Sequence, residues 1–175
     1  RTYYTYAASY FGDANGQLAL ARMLYYGEGG TADAIQAARW ANLAADKGNV
    51  DAKSLLVIVS LDLAHRHLEG TPSPFEVRQA TDWAQRASDY GSVEGQALYG
   101  KLLFDGDGIG RQPVDGLMNL TIAAARTPQD DRVIHEMQAT AQMAATPQEW
   151  ELAKQRADDW LKKNTIPSAP GALTQ

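Results

Sequence analysis

The sequence predicts an all-α fold, a right-handed α-α superhelix (solenoid) of stacked helix pairs closed by a C-terminal capping pair. Three observations predict it. The segments "GQLALARMLYYGEGG" at 16–30 and "GQALYGKLLFDGDGIG" at 95–110 both run from apolar residues into glycines, and a shift of 79 residues superimposes them: Gly16 on Gly95, Ala21 on Gly100, Gly27 on Gly106 and Gly29 on Gly108. Gly12, Gly48 and Gly91 each close a segment rich in small residues, "YAASYFG", "WANLAADKG" and "WAQRASDYG", which divides that shift into periods of 36 and 43 residues. Such periods belong to stacked helix pairs, none of which buries its apolar face alone. Within each period apolar residues recur at three-four spacing, the mark of helices rather than strands.

The elements follow in order. Residues 1–12 read as a partial unit, 13–48, 49–91 and 92–127 as three repeats, 129–163 as two capping helices, and 164–175 as a flexible tail of proline, glycine and small residues. In the first repeat, helix A covers about 14–26 and helix B about 32–47, with Ala37, Trp40, Leu43 and Ala44 as its core face. In the second, helix A covers about 50–68 and helix B follows "TPSP"; Ala80 and Trp83 repeat Ala37 and Trp40, so both tryptophans are expected between stacked pairs. In the third, the helices cover about 93–104 and 113–126, and Asn119 stands at the tryptophan position. Thr146, Pro147 and Glu149 form an N-terminal capping signature for the last helix, whose stripe is Trp150, Leu152 or Ala153, Ala157, Trp160 and Leu161. Gly27, Gly29, Gly48, Gly91, Gly106 and Gly108 are expected to be structural, because glycine alone readily takes the positive φ that tight helix ends need.

Composition narrows function. The 175 residues carry 21 acidic and 16 basic side chains, a net charge of −5, with no Lys/Arg block of the kind that tracks phosphates. Nucleic acid is therefore not an expected partner. Absence of cysteine removes disulfides, thiol nucleophiles and thiolate metal sites, and is compatible with an oxidising compartment. The apolar run "SLLVIVSLDLA" at 54–64 is short and holds Asp62, so direct membrane insertion is not expected. No signal peptide is visible, and a chain opening at Arg1 is compatible with a processed or truncated product.

The glycine-rich ends "LARMLYYGEGG" and "LYGKLLFDGDG", together with "A-x-x-W-x-x-x-A-[AS]-x-x-G" at 37–48 and 80–91, resemble Sel1-like repeats, relatives of the tetratricopeptide repeat. The resemblance covers roughly residues 1–126. A narrower one, through "YAASYFGDANGQLALARMLYYGEGG", "DGLMNLTIAAAR" and "DDRVIHEMQATAQMA", is to the ExoR family of periplasmic Sel1-repeat regulators in alphaproteobacteria. That likeness implies a periplasmic, non-catalytic regulator whose protein partner is the sensor domain of a membrane histidine kinase controlling exopolysaccharide production. Its alternative is a cell-envelope assembly factor or a peptidoglycan-binding repeat protein.

No catalytic, metal or cofactor residues are assigned. His65 and His67 lie two apart on a helix and diverge by about 200°; His135 stands alone, and Asp130-Asp131 and Asp158-Asp159 are adjacent pairs that point apart. Asp105, Asp107 and Gly110 mimic the start of a calcium loop, but Ile109 and Gly116 stand where ligands are required. The Asn119-Leu120-Thr121 sequon lies inside a helix, and Tyr3, Tyr4, Tyr6 and Tyr10 read as packing against an upstream unit. What remains is surface. Helical arrays bind partners on extended concave faces, here formed by the A helices, where the candidate contacts are Arg22, Tyr25, Tyr26, His65, Arg66, Glu69, Lys101 and Phe104.

Overall fold

A computed structural model describes residues 2–10 and 12–164. The described residues form nine helices and no strand: α1 (Thr2–Tyr10), α2 (Ala14–Tyr26), α3 (Ala34–Asp46), α4 (Val50–His67), α5 (Pro74–Asp89), α6 (Val93–Asp105), α7 (Pro113–Ala125), α8 (Arg132–Ala144) and α9 (Pro147–Asn164). The side chains of Tyr3 and Tyr10 and residues 165–175 lie outside the described residues, whereas Asn164, expected in the tail, ends α9.

Polar side chains start the helices. Asp13, Asp33, Asn49 and Ser92 each accept a hydrogen bond from the backbone N–H three residues on. Ser73 and Glu76 cap α5 reciprocally, and Thr146 and Glu149 do the same for α9: Glu149 N–H donates to Thr146 Oγ1 (3.2 Å) and Thr146 N–H to the Glu149 carboxylate (2.9 Å). Asp131 caps α8. At the other ends α2 and α6 stop on Gly27 and Gly106, with φ of 76° and 73°.

The helices pack as antiparallel pairs, α2 with α3, α4 with α5 and α6 with α7, and each second helix leans on the first of the next pair. In addition α2 meets α4 and α6 meets α8, whereas α3 does not meet α5, nor α5 α7, to a comparable extent. The core is built from small and aliphatic residues. Ala21, Ala38, Ala41, Ala44, Ala52, Leu56 and Val59 are buried together at α2–α4, and Ala97, Leu117, Leu120, Ala123 and Ala153 at α6–α9.

Three expectations about packing are corrected. Leu43 is 45% exposed and outside the core, because it lies on α3 one position from the Ala37–Ala41–Ala44 face. Trp40 and Trp83 lie between pairs as expected, but both are only half-buried, so Trp40 borders the core face instead of belonging to it. In α9 the buried residues are Ala153 and Ala157, while Leu152 is 41% exposed. The two C-terminal helices also differ from a repeat pair: α8 rests on α6 and α7, α9 rests on α7, and their contact with each other is slight.

Two cations repeat one structural device. The Lys47 ammonium donates to the Gly12 carbonyl, and Arg126, 79 positions later, donates to the Gly91 carbonyl (3.0 Å) and to Gln96 Oε1 (2.8 Å). Each ties the end of one B helix to the carbonyl of the glycine that ends the preceding unit. Gln96 Nε2 donates in turn to Asn119 Oδ1 (3.3 Å), so the third repeat holds a polar network at its tryptophan position.

Candidate protein-binding surface

The wall is set by the register of α2, α4 and α6. On α4 the exposed residues Asp51, Ser54, Ile58 and His65 form one stripe at helical spacing, and Asp51 and His65 reach the helices on either side. Arg22 of α2 lies 3.7 Å from the Asp51 carboxylate, and His65 Nε2 lies 3.2 Å from Glu94 Oε1 of α6. Arg66 pairs with Asp62 one turn back at 2.7 Å, and Lys101 pairs with Asp105. Exposed pairs of this kind contribute about 0–1 kcal/mol each, so they fix the pattern of charge more than the stability.

Arg22, Tyr26, His65, Arg66 and Lys101 are exposed on A helices. Tyr26 is 64% exposed and meets Tyr25 edge-on, ring centroids 5.1 Å apart. Tyr25 is half-buried; burial first, and then the Asp62 carboxylate that accepts its hydroxyl proton in a hydrogen bond, raises its pKa. Two candidates are placed differently from expectation. Phe104 is only 7% exposed, its ring built into the α6–α8 core beneath the Arg111 guanidinium at 4.8 Å, so it is a floor and not a free anchor. Glu69 is exposed but lies beyond the end of α4.

Sequence reasoning missed Ile58, 49% exposed in the middle of the wall, and the outward side of α8. A hollow of about 430 Å³ opens between α6 and α8, floored by Phe104 and Leu120 and walled by Val133, Met137 and Ala141. A second, of about 350 Å³, adjoins it across Lys101, Asp105 and Met137 and is lined by Leu68, Val77, Leu98 and Leu102. The signal was present: Val133, Met137, Thr140 and Ala144 make a stripe on α8 beside the buried Ile134 and Ala141.

The groups without a place on the wall have local partners. His135 Nε2 sits 3.1 Å from the Pro128 carbonyl oxygen, and Asn119 Nδ2 donates to the Asp115 carbonyl inside α7. Asp105 to Gly116 form the end of α6, a turn with positive φ at Gly106, Gly108 and Gly110, and the start of α7. Among the described residues no three His, Asp or Glu side chains cluster as metal ligands would, and no helix is long and apolar enough to cross a membrane.

Acid has a defined effect at the rim. Glu149 has a pKa below the usual 4.5, first through the Thr146 N–H it accepts and then through Arg111, and Glu76 is lowered by the Ser73 N–H. A depressed carboxylate stabilises the fold above its unfolded pKa, and that contribution is lost as pH falls through the folded value. Stability is therefore expected to decline as pH drops below about 4.5, and Glu76→Gln with Glu149→Gln to flatten that decline. Melting temperatures from pH 7 to 3 test this, and parallel curves for the two proteins would contradict it.

Fold and surface together define a helix-pair repeat protein with a continuous helical wall. The Sel1 repeat model matches residues 14–49, 61–92 and 93–127, more than half of the chain, and the chain belongs to the Sel1 repeat family. The unmatched residues 50–60 fall in the first part of α4, whose 18 residues exceed the 13 of α2 and α6. Among solved structures the chain is similar to a Sel1 repeat protein from Oxalobacter formigenes, at 19% identity and a TM-score of 0.49, over 94% of this chain and 64% of that one. It is also similar to c5321, a protective antigen of uropathogenic Escherichia coli strains displaying an SLR fold, at 14% identity and a TM-score of 0.31, over 98% of this chain and 52% of that one. The chain thus spans less than two thirds of either structure's length. No curated protein matches it. Sel1 repeats generally mediate protein–protein interaction, and Sel1 repeat proteins are generally non-catalytic scaffolds.

Proposed function

We propose that this chain is a non-catalytic scaffold that captures a protein partner along its A-helix wall, and that it acts in the periplasm as a regulator bound to the sensor domain of a two-component histidine kinase controlling exopolysaccharide production. The observation that carries the first part is the wall itself, which presents Arg22, Tyr26, Ile58, His65 and Lys101 on consecutive A helices. Arginine and tyrosine are frequent anchors of protein interfaces. The compartment and the kinase rest on the resemblance of the residue pattern to the alphaproteobacterial regulators.

A photo-crosslinking residue in place of Tyr26, activated in the native cell, tests the reading. Adducts with a membrane sensor kinase support it; adducts confined to cytoplasmic proteins overturn the periplasmic part. Binding of purified protein to cell-wall fragments with no protein adduct moves the function to peptidoglycan.

Charge reversal separates binding from folding. Arg22 and Lys101 occupy equivalent positions 79 residues apart on α2 and α6 and face the same wall. Arg22→Glu with Lys101→Glu sets each new carboxylate beside Asp51 or Asp105, at a stability cost of about 0.2–0.5 kcal/mol per pair. Helical content and melting are expected to stay nearly unchanged, while capture of the crosslinked partner weakens about tenfold, or 1.4 kcal/mol. Unchanged affinity in a folded variant would remove these cations from the interface.

A further inference from the structure

We infer that the double hollow between α6 and α8 seats a short peptide segment of the partner that carries two apolar side chains and a neighbouring lysine or arginine; this deepens the scaffold reading above and rests on it. The helix that forms one side does more than close the stack. A closing helix needs one apolar face, which α8 has in Ile134 and Ala141. It adds Val133, 62% exposed, and the half-buried Met137 one turn further on, both turned to the first hollow. Opposite them the floor is firm, because Phe104 and Leu120 are buried members of the core.

The two hollows fit separate anchors. They lie side by side, about 430 and 350 Å³, and share Met137 and the Lys101–Asp105 ion pair between them. Methionine suits such a place, since its unbranched side chain repacks around different partners. One apolar side chain over Phe104 and a second over Leu98 and Leu102 would each leave water for a lined depression.

Charge selects the remaining chemistry. The lining holds three carboxylates, Asp105, Asp107 and Glu136, against one ammonium, Lys101, which is already engaged by Asp105. Two guanidiniums of neighbouring elements have other partners, Arg78 donating to the Gly108 carbonyl (3.3 Å) and Arg111 to Glu149 (3.1 Å), and Arg132 is exposed at the start of α8 next to Val133. Asp107 and Glu136 are the lining carboxylates outside that pair, so a cationic segment is favoured at those two and not at Lys101, and their charge speeds its approach. A second copy of this chain is the poorer occupant, because its net charge of −5 opposes these carboxylates.

The test is a selection of random peptides displayed on phage against the folded chain, followed by fluorescence polarisation with synthetic copies of those recovered. The expected sequences pair two large apolar residues with a lysine or arginine. Their affinity is expected to fall at least about tenfold in Val133→Glu/Ala144→Glu and in Glu136→Lys, all three exposed positions, and to be unaltered in Lys154→Glu on α9. Circular dichroism checks that each variant is folded, and Glu136→Lys keeps the test decisive if the double variant is not. Recovered peptides without the apolar pair or the cation, or full affinity in the folded α8 variants, overturn the inference. Loss with Arg22→Glu alone overturns it while leaving the wall reading intact; a dimer that Val133→Glu dissolves assigns the hollow to self-association and overturns it too.

Discussion

Gly116→Ala is expected to cost about 2–3 kcal/mol, although alanine in place of glycine inside a helix ordinarily gains up to about 1 kcal/mol. The reversal comes from the crossing of α6 and α7. A Cβ on Gly116 would stand 2.6 Å from the Phe104 nitrogen, 2.7 Å from the Gly100 carbonyl oxygen and 2.8 Å from the Phe104 Cα. These are backbone atoms, so no side chain can turn aside. Relief requires the two helices to separate, which loosens Leu117 and Leu120 against Phe104 and disturbs the helix on which both α8 and α9 rest. The first repeat shows the looser arrangement: at the positions equivalent to Gly100 and Gly116 it carries Ala21 and Ala37, both fully buried and both accommodated. Gly48→Ala is the matched comparison. Its φ of 85° disfavours a side chain, but nothing lies within 4 Å of the added carbon, so about 1–2 kcal/mol is expected from backbone strain alone. Urea denaturation of the two variants decides the matter. A Gly116→Ala protein as stable as the parent would mean that α6 and α7 are not in backbone contact.

The fold was legible because a repeat states its architecture several times. The three-four pattern of alanines and the capping pair Thr146 and Glu149 act within a turn or two of chain, where sequence and geometry are tightly coupled, and the spacing of Gly12, Gly48 and Gly91 marks where each such unit ends. Burial was less legible. Leu43 and Phe104 are both large and apolar at the edge of a helical stripe, and one is exposed while the other is buried. The difference is made by a neighbour distant in sequence: α8 covers Phe104, whereas no later helix covers Leu43 in the same way. The wall was readable through the equivalence of Arg22 and Lys101, but its cross-helix partners Asp51 and Glu94 were not, since they depend on how far one pair is rotated on the next. The hollow at α8 escaped for a related reason. Its helix follows the last repeat and packs by no repeated rule, so only the excess of apolar residues at Val133 and Met137 marked it.

Trp83→Ala is expected to destabilise the protein by about 2–3 kcal/mol, below the 3–5 kcal/mol typical of a fully enclosed tryptophan because the ring is half-buried. Its place makes the loss matter more than its burial implies. Trp83 packs against the buried residues of α2–α4 and also against Ala64, Val77, Ala80, Leu98 and Leu102 of the next group, and its face carries the Arg86 guanidinium at 4.9 Å. Truncation therefore opens a space on the seam between two units instead of inside one. In a linear array stability is close to a sum of unit and interface contributions, so a weakened middle seam uncouples the two ends. At about 2–4 °C per kcal/mol for a chain of this size, the melting temperature is expected to fall by roughly 4–12 °C and the transition to broaden or split. Asn119→Ala removes the hydrogen bonds to Asp115 and Gln96 instead of a ring, about 1 kcal/mol, and leaves the Gln96–Arg126 bond in place. Calorimetry of both variants gives the comparison. Equal shifts would mean that position 119 supports the third unit as strongly as the tryptophan supports the second, and the equivalence of the two sites, on which the reading of the repeat depends, would then describe chain spacing and not energetics.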